Sequence, residues 1–193
     1  MERLDCLISF RALKRMGGAH LPPFHTLGLH MQLLTPLSHC TSVALYPPTS
    51  LVDHHTPLTV PTCDSAMEHA QRCGVTGLVA VPSFVESWAQ GDAGDERVEW
   101  MRTLQFVGFT GGPLAVKVGD SLARAGVNIA SLYGGTEFGC PTVLGLSPLR
   151  ESGTSKLSAA GPSEWAYMRF SKGVNTRWVP QGNDTFELQF LVR

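Results

Sequence analysis

Val127-Asn128-Ile129-Ala130-Ser131-Leu132-Tyr133-Gly134-Gly135-Thr136-Glu137-Phe138-Gly139 is the stretch on which the fold turns. Residues 127–132 form an apolar run of strand length, bounded by Gly126 and Gly134, and predict a buried strand. Glycines then crowd around one hydroxyl and one carboxylate. Backbone without a Cβ admits a ligand at close range. In open α/β sheets, ligands bind at the carboxyl ends of strands, which is where this loop would sit. The alternative for the same residues is an ordinary strand-to-loop turn with an exposed Thr-Glu pair.

Working upstream, the pattern alternates. Residues 104–109 predict a strand, Thr110-Gly111-Gly112-Pro113 a turn, and 114–125 a helix with Pro113 in its first turn, ended by Gly126. Residues 75–81 predict another strand, followed by a helix opened by Pro82-Ser83, a loop over 91–95 and a short helix over 96–103. Thr62 or Asp64 can cap a helix that runs to Cys73 and ends at Gly74. Residues 40–46 predict a strand, and 51–61 a surface loop with Asp53-His54-His55. His25 or Thr26 opens a helix that should stop near Pro36. Residues 1–20 carry a weak helical pattern ended by Gly17-Gly18. The run into Tyr133 is β-α-β-α-β-α-β, so the fold class is α/β, a parallel sheet with flanking helices.

Downstream the character changes. Residues 145–161 are rich in Ser, Gly and Pro. Residues 165–170 and 174–179 are strand candidates, 180–184 a turn, and Phe186, Leu188, Phe190 and Val192 alternate with polar residues as in a half-buried strand. The division read from this is a partial α/β domain over 1–146, a linker over 147–162 and a small antiparallel β segment over 163–193.

The chain has 193 residues, 43% of them hydrophobic and 16% charged, with net charge −1. That composition is globular, and without a basic patch it excludes a nucleic-acid or charged-membrane partner. The five scattered cysteines form no CxxC and predict reduced thiols rather than a disulfide framework. The apolar run over 6–10 is too short for a signal peptide, and no stretch is long enough to span a bilayer. A cytoplasmic location is the expectation.

Familiar catalytic motifs are scarce. Gly111-Gly112-Pro113 does not complete GxGxxG, and neither GxxxxGK[ST] nor GxSxG occurs. His54 and His55 are adjacent, unlike the i,i+4 pair of a helical metal site. Cys140 has no assigned base and is read as a packing residue. Taken alone, His25 reads as a surface or cap histidine.

Three ordered segments nevertheless resemble the adenylate-forming, AMP-binding superfamily. They are Pro22-Pro23-Phe24-His25-Thr26-Leu27-Gly28, Gly111-Gly112-Pro113-Leu114, and Ser131 through Gly139. The chain is most similar to adenylation domains of fungal carboxylic acid and aminoadipate-type reductases. Trp165-x-x-Met168-Arg169-Phe170 and Trp178-Val179-Pro180-Gln181-Gly182 look like that group's next stretch.

The resemblance implies activation of a carboxylic acid with ATP to an acyl-adenylate. It implies that Thr136 bonds phosphate oxygens and that Glu137 helps hold Mg²⁺. Tyr133 would lie against adenine, with Ser131 and Leu132 at its polar edge. Many relatives carry Asn or Gln where Ser131 stands. Gly111, Gly112 and Gly134 would admit the nucleotide, and His25 would stand beside the reacting carboxylate and phosphate. The partners implied are a small carboxylic acid and a carrier domain; phosphopantetheine and NADPH belong to downstream domains of full-length relatives. The family's Gly/Ser/Thr-rich phosphate loop, its Tyr-x-Thr-Gly-Asp ribose segment and its lid Lys are not found in the sequence. The chain thus reads as the middle of an adenylation domain, with little or no turnover expected from it alone. A catalytically incomplete remnant that binds nucleotide weakly or serves as an interaction module is the alternative. A Rossmann-type NAD protein is disfavoured by the glycine pattern.

Overall fold

A computed structural model describes residues 15–17, 21–22, 24–46, 53, 55, 60–90, 94–143 and 165–191. Five parallel strands form the central sheet: β1 (Arg15–Gly17), β2 (Ser42–Ala44), β3 (Gly77–Ala80), β4 (Phe106–Phe109) and β5 (Ile129–Ser131). Their order is β2-β1-β3-β4-β5. The order reverses between β1 and β3, and a doubly wound sheet binds its ligand at such a switch point.

Both faces of β3 and β4 are buried, which explains their unbroken apolar runs. Leu78, Ala80, Val107 and Phe109 join the larger apolar cluster, whereas Val79 and Phe106 join a smaller one with Met16, Leu21, Met31 and Leu132. Alternate residues of each strand therefore feed opposite faces. Four helices supply the larger cluster: α3 (Cys63–Arg72), α4 (Pro82–Trp88), α5 (Gly94–Thr103) and α6 (Val116–Arg124). The smaller cluster is covered by a continuous helical segment, made of α1 (Thr26–Leu29), a π turn (His30–Leu34) and α2 (Thr35–His39).

Local chemistry sets the helix ends. At α3 the Thr62 hydroxyl accepts from the Ser65 N–H, and the Ser65 hydroxyl accepts from the Thr62 N–H, at 3.2 and 2.9 Å. This capping box satisfies two donors that the first turn leaves free. Trp88 on α4 donates its indole N–H to the Cys63 carbonyl at 2.9 Å. Helix α6 carries Gly119 on its buried side, and the Trp165 ring lies against it. The Trp165 indole N–H bonds Asp120 Oδ1 at 2.9 Å, and its ring sits 5.9 Å from Phe109.

The C-terminal β segment is antiparallel. Strand β6 (Thr142–Val143) pairs with β7 (Arg169–Phe170), and β8 (Thr176–Gly182) pairs with β9 (Thr185–Phe190). Among the described residues, no helix is long and apolar enough to cross a membrane.

Several expectations need correction. Residues 15–17 are a strand rather than a helix end, because β1 pairs with a neighbour on each side; the rest of that predicted helix lies outside the described residues. The first helix continues past Pro36 to His39. Its wide π turn, in which the Thr35 N–H reaches back to the His30 carbonyl, precedes the proline and loosens the i→i−4 ladder a proline would clash with. Pro113 lies ahead of α6, whose cap is Ala115; the Ala115 N–H bonds Glu86 Oε1 at 2.9 Å. The predicted turn over 180–184 narrows to Asn183 and Asp184, both at positive φ, and β8 runs on through a register shift near Pro180. Phe186 is 55% exposed, so burial along β9 grows toward its end rather than alternating. The serine-rich stretch over 145–161, most of the 51–61 loop and His54 lie outside the described residues.

Candidate functional site

The segments singled out in the sequence follow the carboxyl ends of β1, β4 and β5. Strand β5 delivers the glycine loop. The Leu132 N–H still bonds the Phe109 carbonyl at 2.9 Å, so the sheet holds the chain up to that residue. Beyond it, the Thr142 hydroxyl takes over. Its oxygen accepts from the Tyr133 N–H at 3.1 Å and donates to the Tyr133 carbonyl at 3.3 Å. Thr142 is 3% exposed, so this clamp is sheltered from water.

The loop then closes on itself. Gly135 N–H bonds Gly139 O at 2.9 Å, and Gly139 N–H bonds Gly135 O at 2.8 Å. Thr136, Glu137 and Phe138 are held at the tip, all exposed. A Cβ on Gly134 would fall 2.6 Å from the Gly139 carbonyl oxygen, and Gly139 has φ +69°. The glycine pattern is therefore required by the loop's own backbone packing. The Tyr133 and Phe138 rings stack with centroids 5.6 Å apart.

His25 caps α1. Its Nδ1 accepts from the Leu27 N–H at 3.1 Å. With Nδ1 used as an acceptor, the neutral ring carries its proton on Nε2. The next residue makes the connection that defines the site: the Thr26 hydroxyl donates to Thr136 Oγ1 at 3.3 Å. Strands β1 and β5 are separated in the sheet by β3 and β4, so this bond reaches across the carboxyl edge. At the end of β4, Gly111 has φ +89° and open space where its Cβ would be. Beside it, Gly112 meets only Pro82 Cγ, at 3.9 Å, from the loop after β3.

Thus His25, Thr136, Glu137, Tyr133 and Gly134 gather on two bonded segments, with Gly111 and Gly112 on the adjoining strand end. Ser131 and Leu132 belong to the strand below, with Leu132 buried and Ser131 half-buried. Cys140 is a half-buried free thiol 3.5 Å from the Thr142 hydroxyl, in keeping with a packing role. Among the described residues no group of three or more His, Cys, Asp or Glu side chains is placed to hold a metal ion. Thr26 and Thr142 were not singled out as site residues from the sequence. Thr26 offered a capping signal and a place in the His25 segment but no role of its own, and Thr142 offered no signal.

A parallel sheet with a glycine loop, a hydroxyl and a carboxylate at its carboxyl edge has the layout in which open α/β folds take up ligands. The model of the AMP-binding enzyme family matches residues 10–168, and the chain belongs to that family. It is 43% identical over 176 residues to adenylate-forming reductase Nps9 of Serpula lacrymans and 37% identical over 176 residues to Nps11 of the same fungus. Each match covers 91% of this chain and 15% of the relative. The carboxylic acid reductase of Neurospora crassa is 26% identical over 118 residues, covering 61% of this chain and 10% of that protein. The chain thus spans about one seventh of the length of its Serpula relatives, as the 15% coverage gives.

Proposed function

We propose that this chain supplies the AMP-facing and carboxylate-facing part of an adenylation site that activates a small carboxylic acid with ATP. In that reaction a carboxylate oxygen attacks the α-phosphorus. The new bond is the acyl–phosphate bond, and the bond to the bridging oxygen breaks with its electron pair leaving on pyrophosphate. The observation that carries this reading is the hydrogen bond from Thr26 to Thr136, which joins the histidine segment to the glycine loop.

The residue chemistry follows from that junction. Thr136 accepts from Thr26, so its own proton is available to a phosphate oxygen. His25, with Nδ1 committed to Leu27, offers Nε2–H to an oxygen of the carboxylate or the α-phosphate. Such a donor stabilises charge and orients the attack. Glu137 is exposed at the loop tip, and one carboxylate plus substrate phosphates is an ordinary Mg²⁺ environment. Mg²⁺, when bound, would offset phosphate charge. Tyr133 offers a ring to adenine, Ser131 and Leu132 border it, and Gly111, Gly112 and Gly134 leave room for the nucleotide. We extend the proposal to the fate of the product. As in a reductase, the acyl group would pass to a phosphopantetheine thiol on a carrier domain and be reduced with NADPH.

Calorimetry with a non-hydrolysable acyl-adenylate analogue tests the reading. Binding by the wild-type chain, weakened roughly 10- to 100-fold in Thr136→Ala, is the expected result for loss of a hydrogen bond to a charged oxygen. Absence of binding by the wild-type chain would overturn it.

A further inference from the structure

Around Tyr133 the described structure gathers an aromatic cluster whose other rings have no role above. Phe190, at the end of β9, lies 4.7 Å from Phe138 and 6.4 Å from Tyr133, centroid to centroid, and its plane is within 29° of the Tyr133 ring. Phe190 also meets Phe170 edge-on at 6.0 Å, and Phe170 meets Trp178 of β8 at 6.2 Å. Phe170 is the register partner of Thr142 in the β6–β7 pair. Thr142 in turn clamps the backbone of Tyr133. The contacts close a ring: Tyr133, Phe138, Phe190, Phe170, Thr142 and back to Tyr133.

We propose that Phe190 is a positioning residue for a purine nucleoside bound on Tyr133, so that the C-terminal hairpin is a working part of the nucleotide site. This rests on the reading of Tyr133 as the base platform. Tyr133 is followed by Gly134 and Gly135, so the two residues next to it in the chain offer its ring no side chain to pack against. Phe138 stacks on the Tyr133 ring from within the loop, and Phe190 of β9 packs against both rings from outside it. Aromatic pairs favour fixed offset or edge-on arrangements over free rotation. Tyr133 remains 38% exposed, which leaves ring surface for a base to stack upon. A platform held in one orientation binds without first losing its own rotamer freedom.

The test uses the full chain, with AMP and inorganic pyrophosphate as separate probes. Phe190→Leu keeps apolar volume but removes the ring. It is expected to weaken AMP binding roughly 3- to 10-fold, the range that the energy of one aromatic pair represents, while leaving pyrophosphate binding unchanged. Phe190→Tyr should restore AMP affinity. Emission from Trp178 should respond to AMP in the wild type and not in Phe190→Leu, with Trp178→Phe identifying the signal. If the wild type does not bind AMP, or Tyr133→Ala binds it normally, the platform reading fails and the inference falls with it. If Tyr133→Ala weakens AMP but Phe190→Leu does not, the platform stands and the role of Phe190 is refuted. Equal weakening of AMP and pyrophosphate by Phe190→Leu would also refute it, because that is the signature of general loop collapse.

Discussion

Gly119 offers a sharp test of how the C-terminal return is attached to the α/β layer. A Cβ at this position would lie 2.1 Å from Trp165 Cζ2 and 2.4 Å from both Cε2 and Cη2. Carbon atoms rest at about 3.5 Å or more, so the overlap is roughly 1.4 Å. Gly119 is inside α6 and its backbone is tied into the helix, so the indole has to move. Moving it strains the 2.9 Å bond to Asp120 and the packing on Phe109. Overpacking of this kind costs about 1–3 kcal/mol, and complete expulsion of a buried Trp would cost up to about 5 kcal/mol. Against this, Ala is favoured over Gly in a helix interior by about 1 kcal/mol. Gly119→Ala is therefore expected to destabilise the chain by a net of up to about 2 kcal/mol, rising to about 4 kcal/mol if the indole is expelled, read as a lower midpoint in urea denaturation. In a Trp165→Ala background the obstacle is gone and the sign reverses, so the same substitution should stabilise by up to about 1 kcal/mol. A Gly119→Ala that stabilises the wild-type background as much as it does the Trp165→Ala background would refute this account of the Trp165 contact.

Three other outcomes are expected. Thr142→Val leaves the Tyr133 N–H and carbonyl without their sheltered partner and should cost about 1–3 kcal/mol in urea denaturation, with Thr142→Ser close to wild type. Cys40 ends α2 at φ +53°, a left-handed position that favours glycine, so Cys40→Gly should raise the denaturation midpoint by the equivalent of about 0.5–1 kcal/mol. Leu37 is 72% exposed beside the exposed Leu33, and Leu33→Gln with Leu37→Gln should reduce aggregation and hydrophobic-dye binding while shifting stability by no more than about 0.5 kcal/mol.

Much of the fold was legible because its signals are local. The Thr62 cap, Gly74 and the apolar runs over β3 and β4 each sit within a few residues of the element they define. Strand β1 was not legible. Three residues are too few to show a period, and it is pairing with β2 and β3 that makes Met16 part of the core. Pro36 misled for a related reason, since a π turn upstream changes what the proline has to clash with. At the candidate site, the glycines and the Thr-Glu pair drew attention from the sequence because they are close together in it. Thr142 and Phe190 did not, because a threonine or phenylalanine in a β segment looks the same whether or not a distant loop leans on it.

The bond between Thr26 and Thr136 joins residues 110 positions apart, whereas Thr142 reaches Tyr133 across only 9. By loop-closure entropy, the longer connection costs about 2 kcal/mol more to form from an open chain. It also links two exposed hydroxyls, so water competes with it at every moment. The glycine loop should therefore take shape early, and the histidine segment should dock onto it late and leave first. Ligand that bridges the two would complete the assembly. Slowed amide hydrogen exchange around residues 25–29 on addition of nucleotide would be the mark of a site whose last folding step is binding.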